Sequence, residues 1–128
     1  MESTARSGSI RRLLIVDDDP EVRRLLKRLL RDLVQEFTEC ENGTDAVATF
    51  LECRPDIVLM DIKLPGPDGL TLTRQILEIC PYSTIVVVTN HDDGPLRRAA
   101  SEAGAAGYLL KDNLIEVRTL IEKRLHAS

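Results

Sequence analysis

The sequence predicts an α/β fold: one doubly wound, five-stranded parallel sheet with five helices packed on its two faces. Two observations carry this. Apolar runs alternate five times with segments of helical periodicity, the pattern of βα units joined by right-handed crossovers. Four of the five runs are continuous rather than alternating, as strands buried on both faces must be. The 128-residue length allows one domain with a real core, and 43% apolar against 30% charged residues fits a soluble globular chain rather than a disordered one.

Each element has its own justification. Met1–Ser9, "MESTARSGS", is polar and reads as a flexible leader, so the domain is expected over residues 10–128. Leu13–Val16 is the first strand. Val22, Leu25, Leu26, Leu29, Leu30 and Leu33 then recur at helical spacing as an apolar stripe. Glu36–Cys40 alternates, as a half-exposed edge strand does. "GTDAVATFLE" is a short helix with Ala46, Val47 and Phe50 inward, and Ile57–Met60 is the third strand. Leu72, Ile76 and Ile79 mark the third helix, which Pro81 ends. "TIVVVT" is a buried β-branched strand. Leu96, Ala99, Ala100 and Ala103 form a helix of small residues. "GYLL" is the short fifth strand, and Leu114, Val117, Ile121 and Leu125 mark the last helix. Five such units fit the flavodoxin-like strand order 2-1-3-4-5.

In sheets of this kind chemistry gathers at the carboxyl ends of the strands. Those ends carry Asp17-Asp18-Asp19, Asp61, Thr89-Asn90 and Lys111. Strands one and three flank the point where the strand order reverses, so Asp17, Asp18 and Asp61 should share a pocket. Taken singly, each residue has an ordinary explanation. Asp19 before Pro20 reads as a helix cap with proline in the first turn, Asp17 and Asp18 could cap the same helix, Thr89 could be a plain strand residue and Lys111 a solvated lysine. Their convergence is what needs explaining. Crowded carboxylates repel unless a cation joins them, and Mg²⁺ takes such oxygen ligands beside phosphate. A carboxylate there can attack phosphorus to give an aspartyl phosphate. A lysine ammonium and a threonine hydroxyl can then hold the phosphoryl oxygens.

The stretches "LLIVDDDP", "PDIVLMDIKLPGPDGL", "VVVTN" and "GYLLKD" together resemble the receiver domain of bacterial two-component response regulators over Ile10 to about Leu125. The wording of "GYLLKD" is similar to receivers fused to NarL-type outputs. The resemblance implies that Asp61 is the phosphoacceptor. It implies a Mg²⁺ site of Asp18 directly, Asp17 through water, Asp61 and the backbone carbonyl of Lys63. Thr89 and Lys111 would hold the phosphoryl group, and Thr89 with Tyr108 would form the switch. The phosphoryl source would be a sensor histidine kinase or a phosphotransfer protein. The reshaped face, made of the fourth helix, fifth strand and fifth helix, would meet an output domain, a protein partner or a second copy in a homodimer. Asp112 follows Lys111 where this family usually has proline, often after a cis bond, and a cis bond to a non-proline residue costs about 3 kcal/mol.

Other classes are excluded to different degrees. The net charge of −4, without Trp and with only two Phe and two Tyr, argues against a nucleic-acid surface. Cys40, Cys53 and Cys80 show no paired or metal-binding spacing and read as reduced thiols of a cytoplasmic protein. No apolar stretch is long enough for a signal core or a membrane span. A haloacid-dehalogenase-type phosphohydrolase would need a second Asp two residues after the nucleophile, where Lys63 stands; turnover of an external substrate is not expected. Flavin binding would place a phosphate against Asp17–Asp19. A receiver-fold module that binds a partner constitutively, without phosphorylation, is the alternative function. Arg23, Arg24, Lys27, Arg28 and Arg31 line the first helix opposite its leucines, either as a solvated face or as a dock for an acidic patch on a kinase.

Overall fold

The computed structural model describes residues 9–126, so of the expected leader only Ser9 falls within the described residues. The element order is β1 (Ile10–Val16), α1 (Pro20–Leu30), β2 (Val34–Cys40), α2 (Ala46–Cys53), β3 (Ile57–Met60), α3 (Gly69–Ile79), β4 (Thr84–Thr89), α4 (Gly94–Ala103), β5 (Gly107–Leu110), a 3₁₀ turn (Lys111–Asn113) and α5 (Ile115–His126). The sheet is parallel throughout, in the order β2-β1-β3-β4-β5. The expected architecture is the observed one.

The alternation of side chains along the strands sorts the core into two layers. Leu13, Ile15, Ile57, Leu59, Val86 and Val88 face α1 and α5, where Leu26, Leu30, Val117 and Ile121 close the layer. Leu14, Val16, Val58, Met60 and Ile85 face the other way, onto Phe50 of α2 and Leu72 and Ile76 of α3. A smaller cluster of Ile62, Leu70, Val87 and Ala100 seats α4. Because α4 fully buries only Ala100, little apolar area anchors it, and local opening there is less costly than elsewhere in the sheet layers.

Several boundaries differ from expectation. β1 starts at Ile10 because its backbone pairs with β2 from Val34 onward, so Arg11 and Arg12 are strand residues despite their charge. β2 accordingly begins two residues earlier than its alternating stretch. α2 starts at Ala46, after an Asn42 side chain that accepts from the Asp45 N–H at 2.8 Å and so holds a turn where a helix was expected to begin. Leu25 and Ile79, both assigned to apolar stripes, are 37% and 49% exposed, since each sits at the rim of its helix face rather than over the sheet. Asp19 is the N-cap of α1, accepting from the Glu21 N–H at 2.9 Å, with Pro20 in the first turn.

Candidate functional site

Parallel strands end together, and the backbone brings the expected residues to one place. The Asp61 N–H bonds the Val16 carbonyl at 2.9 Å, and the Asp17 N–H bonds the Cys40 carbonyl at 3.0 Å, so the two aspartates step off adjacent strands in register. Asp61 is then held from below by close packing. The Gly69 N–H donates to the Ile62 carbonyl at 2.8 Å, and a Cβ on Gly69 would collide with the Asp61 carbonyl oxygen. The loop between them turns through Gly66, whose φ of 85° suits glycine. It is tied to the β2–α2 loop by the Gly43 N–H, which donates to the Pro65 carbonyl at 2.8 Å.

Asp17, Asp61 and Thr89 are 2%, 5% and 0% exposed, unlike polar residues in general. Asp18 is exposed at the rim. The three carboxylates each bring an oxygen within 4.8 Å of the other two. Lys111, the first residue after β5, reaches across with its Nζ 2.9 Å from Asp17 Oδ2 and 2.9 Å from Asp61 Oδ2. Asp17 Oδ1 also accepts from the Asp19 N–H at 2.9 Å, so both of its oxygens are engaged. A cleft of about 430 Å³ opens above, lined by Asp18, Asp19, Asp61, Lys63, Thr89 and Lys111, together with Asn90 and His91.

The electrostatics follow from this crowding. Burial raises the Asp61 carboxyl above the usual aspartate range; the Lys111 hydrogen bond pulls it back, and the Asp17 charge pushes it up again. Burial works against the Lys111 ammonium, but hydrogen bonds to Asp17 and Asp61 outweigh it and raise the lysine. Three carboxylates thus crowd together with one ammonium, which bridges two of them, Asp17 and Asp61. Their all-oxygen, hard donor set, with negative charge in excess, fits a divalent cation such as Mg²⁺.

Two features of the neighbourhood were not legible as site residues. His91 lines the cleft, and its backbone joins two expected residues: its N–H donates to Thr89 Oγ1 at 3.3 Å, and its carbonyl accepts from the Tyr108 hydroxyl at 2.6 Å. The half-buried Tyr108 ring also lies under the Arg97 guanidinium, 4.7 Å from the ring centroid. The only sequence signal for His91 was its place two residues beyond the end of β4. The peptide bond after Lys111 is trans, as are all bonds among the described residues. The basic face of α1 is partly neutralised, since Arg23 and Lys27 both pair with Glu39 of β2, at 2.8 and 2.7 Å, and Arg24 pairs with Glu21.

Comparison with known proteins gives a consistent family. The family described as "Response regulator receiver domain" matches residues 13–123. The chain is 39% identical over 102 residues to the response regulator GacA of Pseudomonas aeruginosa, covering 78% of this chain and 48% of GacA, so it spans about half the length of that relative. It is 36% identical over 101 residues to the chemotaxis protein CheY of Halobacterium salinarum, covering 79% of this chain and 84% of CheY. Among solved structures, the BeF3-activated receiver domain of RstA from Klebsiella pneumoniae superposes with a TM-score of 0.79 at 34% identity, covering 90% of this chain and 97% of that one.

Proposed function

This chain belongs to the response regulator receiver domain family of two-component signalling, and we propose that it accepts a phosphoryl group on Asp61 and answers by reshaping the face built from α4, β5 and α5. The observation that carries the proposal is the Lys111 bridge. One ammonium touches the carboxylates of Asp17 and Asp61 at 2.9 Å each, beside a fully buried threonine.

In the proposed reaction an Asp61 oxygen attacks phosphorus. The new O–P bond forms as the bond from phosphorus to the donor histidine nitrogen of a sensor kinase or phosphotransfer protein breaks, and that nitrogen keeps the electron pair. Charge neutralisation is the main task in such transfers. Lys111 gives up part of its contact with Asp61 and turns to a phosphoryl oxygen; the Thr89 hydroxyl donates to another. Asp18, Asp61 and the Lys63 carbonyl would hold a Mg²⁺ ion, with Asp17 acting through water, and the ion would shield the phosphoryl charge. Asp18 is suited to direct ligation because it is exposed at the cleft, whereas Asp17 is already spent on Lys111 and the Asp19 N–H. When Thr89 turns to the phosphoryl group it releases the His91 N–H, and the His91 carbonyl is the anchor of Tyr108. The change therefore reaches the β4–α4 loop and the lightly anchored α4.

The domain is a phosphoacceptor in this reading, without turnover of an external substrate. It works in the cytoplasm with a kinase or phosphotransfer protein on one side. On the other stands an output domain, a protein partner or a second copy through α4–β5–α5, with no direct contact to nucleic acid or membrane. Among the described residues no helix is long and apolar enough to cross a membrane. Incubation with acetyl phosphate and Mg²⁺ tests the proposal: intact-mass analysis should show one added phosphoryl group in the wild type and none with Mg²⁺ chelated. An unmodified wild-type protein under these conditions would overturn it.

A further inference from the structure

Of the five basic residues on the outer face of α1, Arg23 is the most buried. Its side chain is 15% exposed, against 39% for Lys27 and 57% for Arg24, and Arg28 and Arg31 are exposed. A guanidinium withdrawn from water has to use its donors, and this one spans two elements. Nε donates to Glu39 Oε1 on β2 at 2.8 Å, and Nη1 donates to the Asp17 backbone carbonyl at 2.7 Å. Lys27 donates to the other Glu39 oxygen at 2.7 Å, which pins the carboxylate. The donors of a guanidinium point in set directions within one plane. A pinned Glu39 therefore aims Nη1 at the Asp17 carbonyl.

That carbonyl belongs to the peptide that joins Asp17 to Asp18. The peptide is planar, so holding its oxygen sets the direction in which Asp18 leaves the strand end. Asp17 is secured by other bonds as well. Its N–H donates to the Cys40 carbonyl at 3.0 Å, its Oδ1 accepts from the Asp19 N–H at 2.9 Å, and its Oδ2 lies 2.9 Å from Lys111 Nζ. Asp18 is exposed at the rim of the cleft, so packing does not orient its side chain. Even so, it brings an oxygen within 4.8 Å of one from Asp17 and one from Asp61. The backbone has to aim it, and Arg23 is bonded to the peptide that does so.

We infer that Arg23 is a positioning residue of the phosphoacceptor cleft: anchored on Glu39, it holds the Asp17–Asp18 peptide so that the Asp18 carboxylate faces a divalent cation. This role rests on the reading of Asp17, Asp18 and Asp61 as a Mg²⁺ site. A purely stabilising ion pair accounts for the Glu39 contact and has no need of the carbonyl. Lys27 marks the difference, because it pairs with the same carboxylate without a bond to the loop. Charge gives the test its sign. Arg23 is a cation beside a cluster of carboxylates, so losing its charge alone would strengthen Mg²⁺ binding. Losing a brace weakens it.

The test titrates Mg²⁺ alone into the ¹⁵N-labelled full chain at neutral pH and reads Kd from the amides of residues 17–19 and 61–63. Arg23→Met should weaken Mg²⁺ binding at least about fivefold, within the reach of one charge-assisted hydrogen bond. Lys27→Met removes the same charge from the same partner and should stay within about twofold of wild type. Arg23→Lys keeps the charge and loses the fork; it should weaken binding at least about twofold, and it carries the test if Arg23→Met does not fold. Without metal, the Asp19 amide, which is bonded to Asp17 Oδ1, should exchange with solvent deuterium faster in Arg23→Met and at the wild-type rate in Lys27→Met. Mg²⁺ affinity unchanged or raised in the Arg23 variants, an equal loss in Lys27→Met, or unchanged exchange at Asp19 would overturn the role of Arg23 and leave the metal site standing. A wild type that binds no Mg²⁺ would overturn the metal site, and this role with it.

Discussion

Replacing Lys111 with methionine removes the ammonium and keeps most of the side-chain volume. The side chains of Lys111, Asp17 and Asp61 are 9%, 4% and 5% exposed, so two carboxylates lose their cation in a largely dry setting. Breaking a buried pair by removing one partner costs about 3–5 kcal/mol. The open cleft lets water in and lets a carboxylate take up a proton, which argues for the low end, about 3 kcal/mol. For a domain of this size that corresponds to a fall in Tm of about 10 °C. The pH dependence follows from the shifts. Lys111 is raised in the folded state, so its stabilisation is complete below the ordinary lysine pKa and is lost only as pH rises through the still higher folded value. At pH 7 the wild type has all of it. Asp61 is raised chiefly by burial, so its ionised form weighs against the fold above the usual aspartate range. Without Lys111 that weight grows, and it disappears once Asp61 is protonated. Urea unfolding followed by circular dichroism, in chelator, should show the full deficit at pH 7 and a much smaller one near about pH 4. Millimolar Mg²⁺ should restore more stability to Lys111→Met than it adds to the wild type. A variant within about 0.5 kcal/mol of wild type at pH 7, or a deficit independent of pH, would refute the bridging role.

Gly69→Ala should lower stability by about 3 kcal/mol, because the new methyl meets the Asp61 backbone, which cannot swing aside as a side chain would; chemical denaturation measures it. Glu39→Gln should cost little and only at neutral pH: the Lys27 and Arg23 hydrogen bonds hold Glu39 low against burial, so its contribution is present above the usual glutamate pKa and lost as pH falls through the folded value. Unfolding curves at pH 7 and in acid should therefore converge. Thr89→Ala should still be phosphorylated, more slowly, and show smaller amide shifts over residues 92–104 and at Tyr108 on adding a beryllofluoride mimic, read by NMR.

Much of the architecture was legible because buried parallel strands must be apolar on both sides. The runs Leu13–Val16, Ile57–Met60 and "TIVVVT" could hardly be placed elsewhere, and once the strand order was set, Asp17, Asp61, Thr89 and Lys111 had to converge. What the chain hid depends on pairings between distant segments. Arg11 and Arg12 become strand because β2 and Asp56 satisfy their backbone. Leu25 and Ile79 have the helical spacing of core residues yet sit at the rims, since periodicity gives a face but not its width. The free basic face expected on α1 is partly taken by Glu39, a partner on the neighbouring strand β2 that no local pattern shows. His91 links Thr89 to Tyr108 through backbone atoms alone, so its side-chain identity carried no sign of the role.

Asp61 itself is expected to carry the phosphoryl group. Borohydride reduces an acyl phosphate to an alcohol and so converts a phosphorylated aspartate to homoserine. After treatment with acetyl phosphate and Mg²⁺, borohydride reduction and proteolysis, peptide mass spectrometry should find homoserine at position 61, with Asp17 and Asp18 intact, and Asp61→Asn should give no homoserine at all. Homoserine at position 17 or 18, or undiminished labelling of Asp61→Asn, would contradict the account.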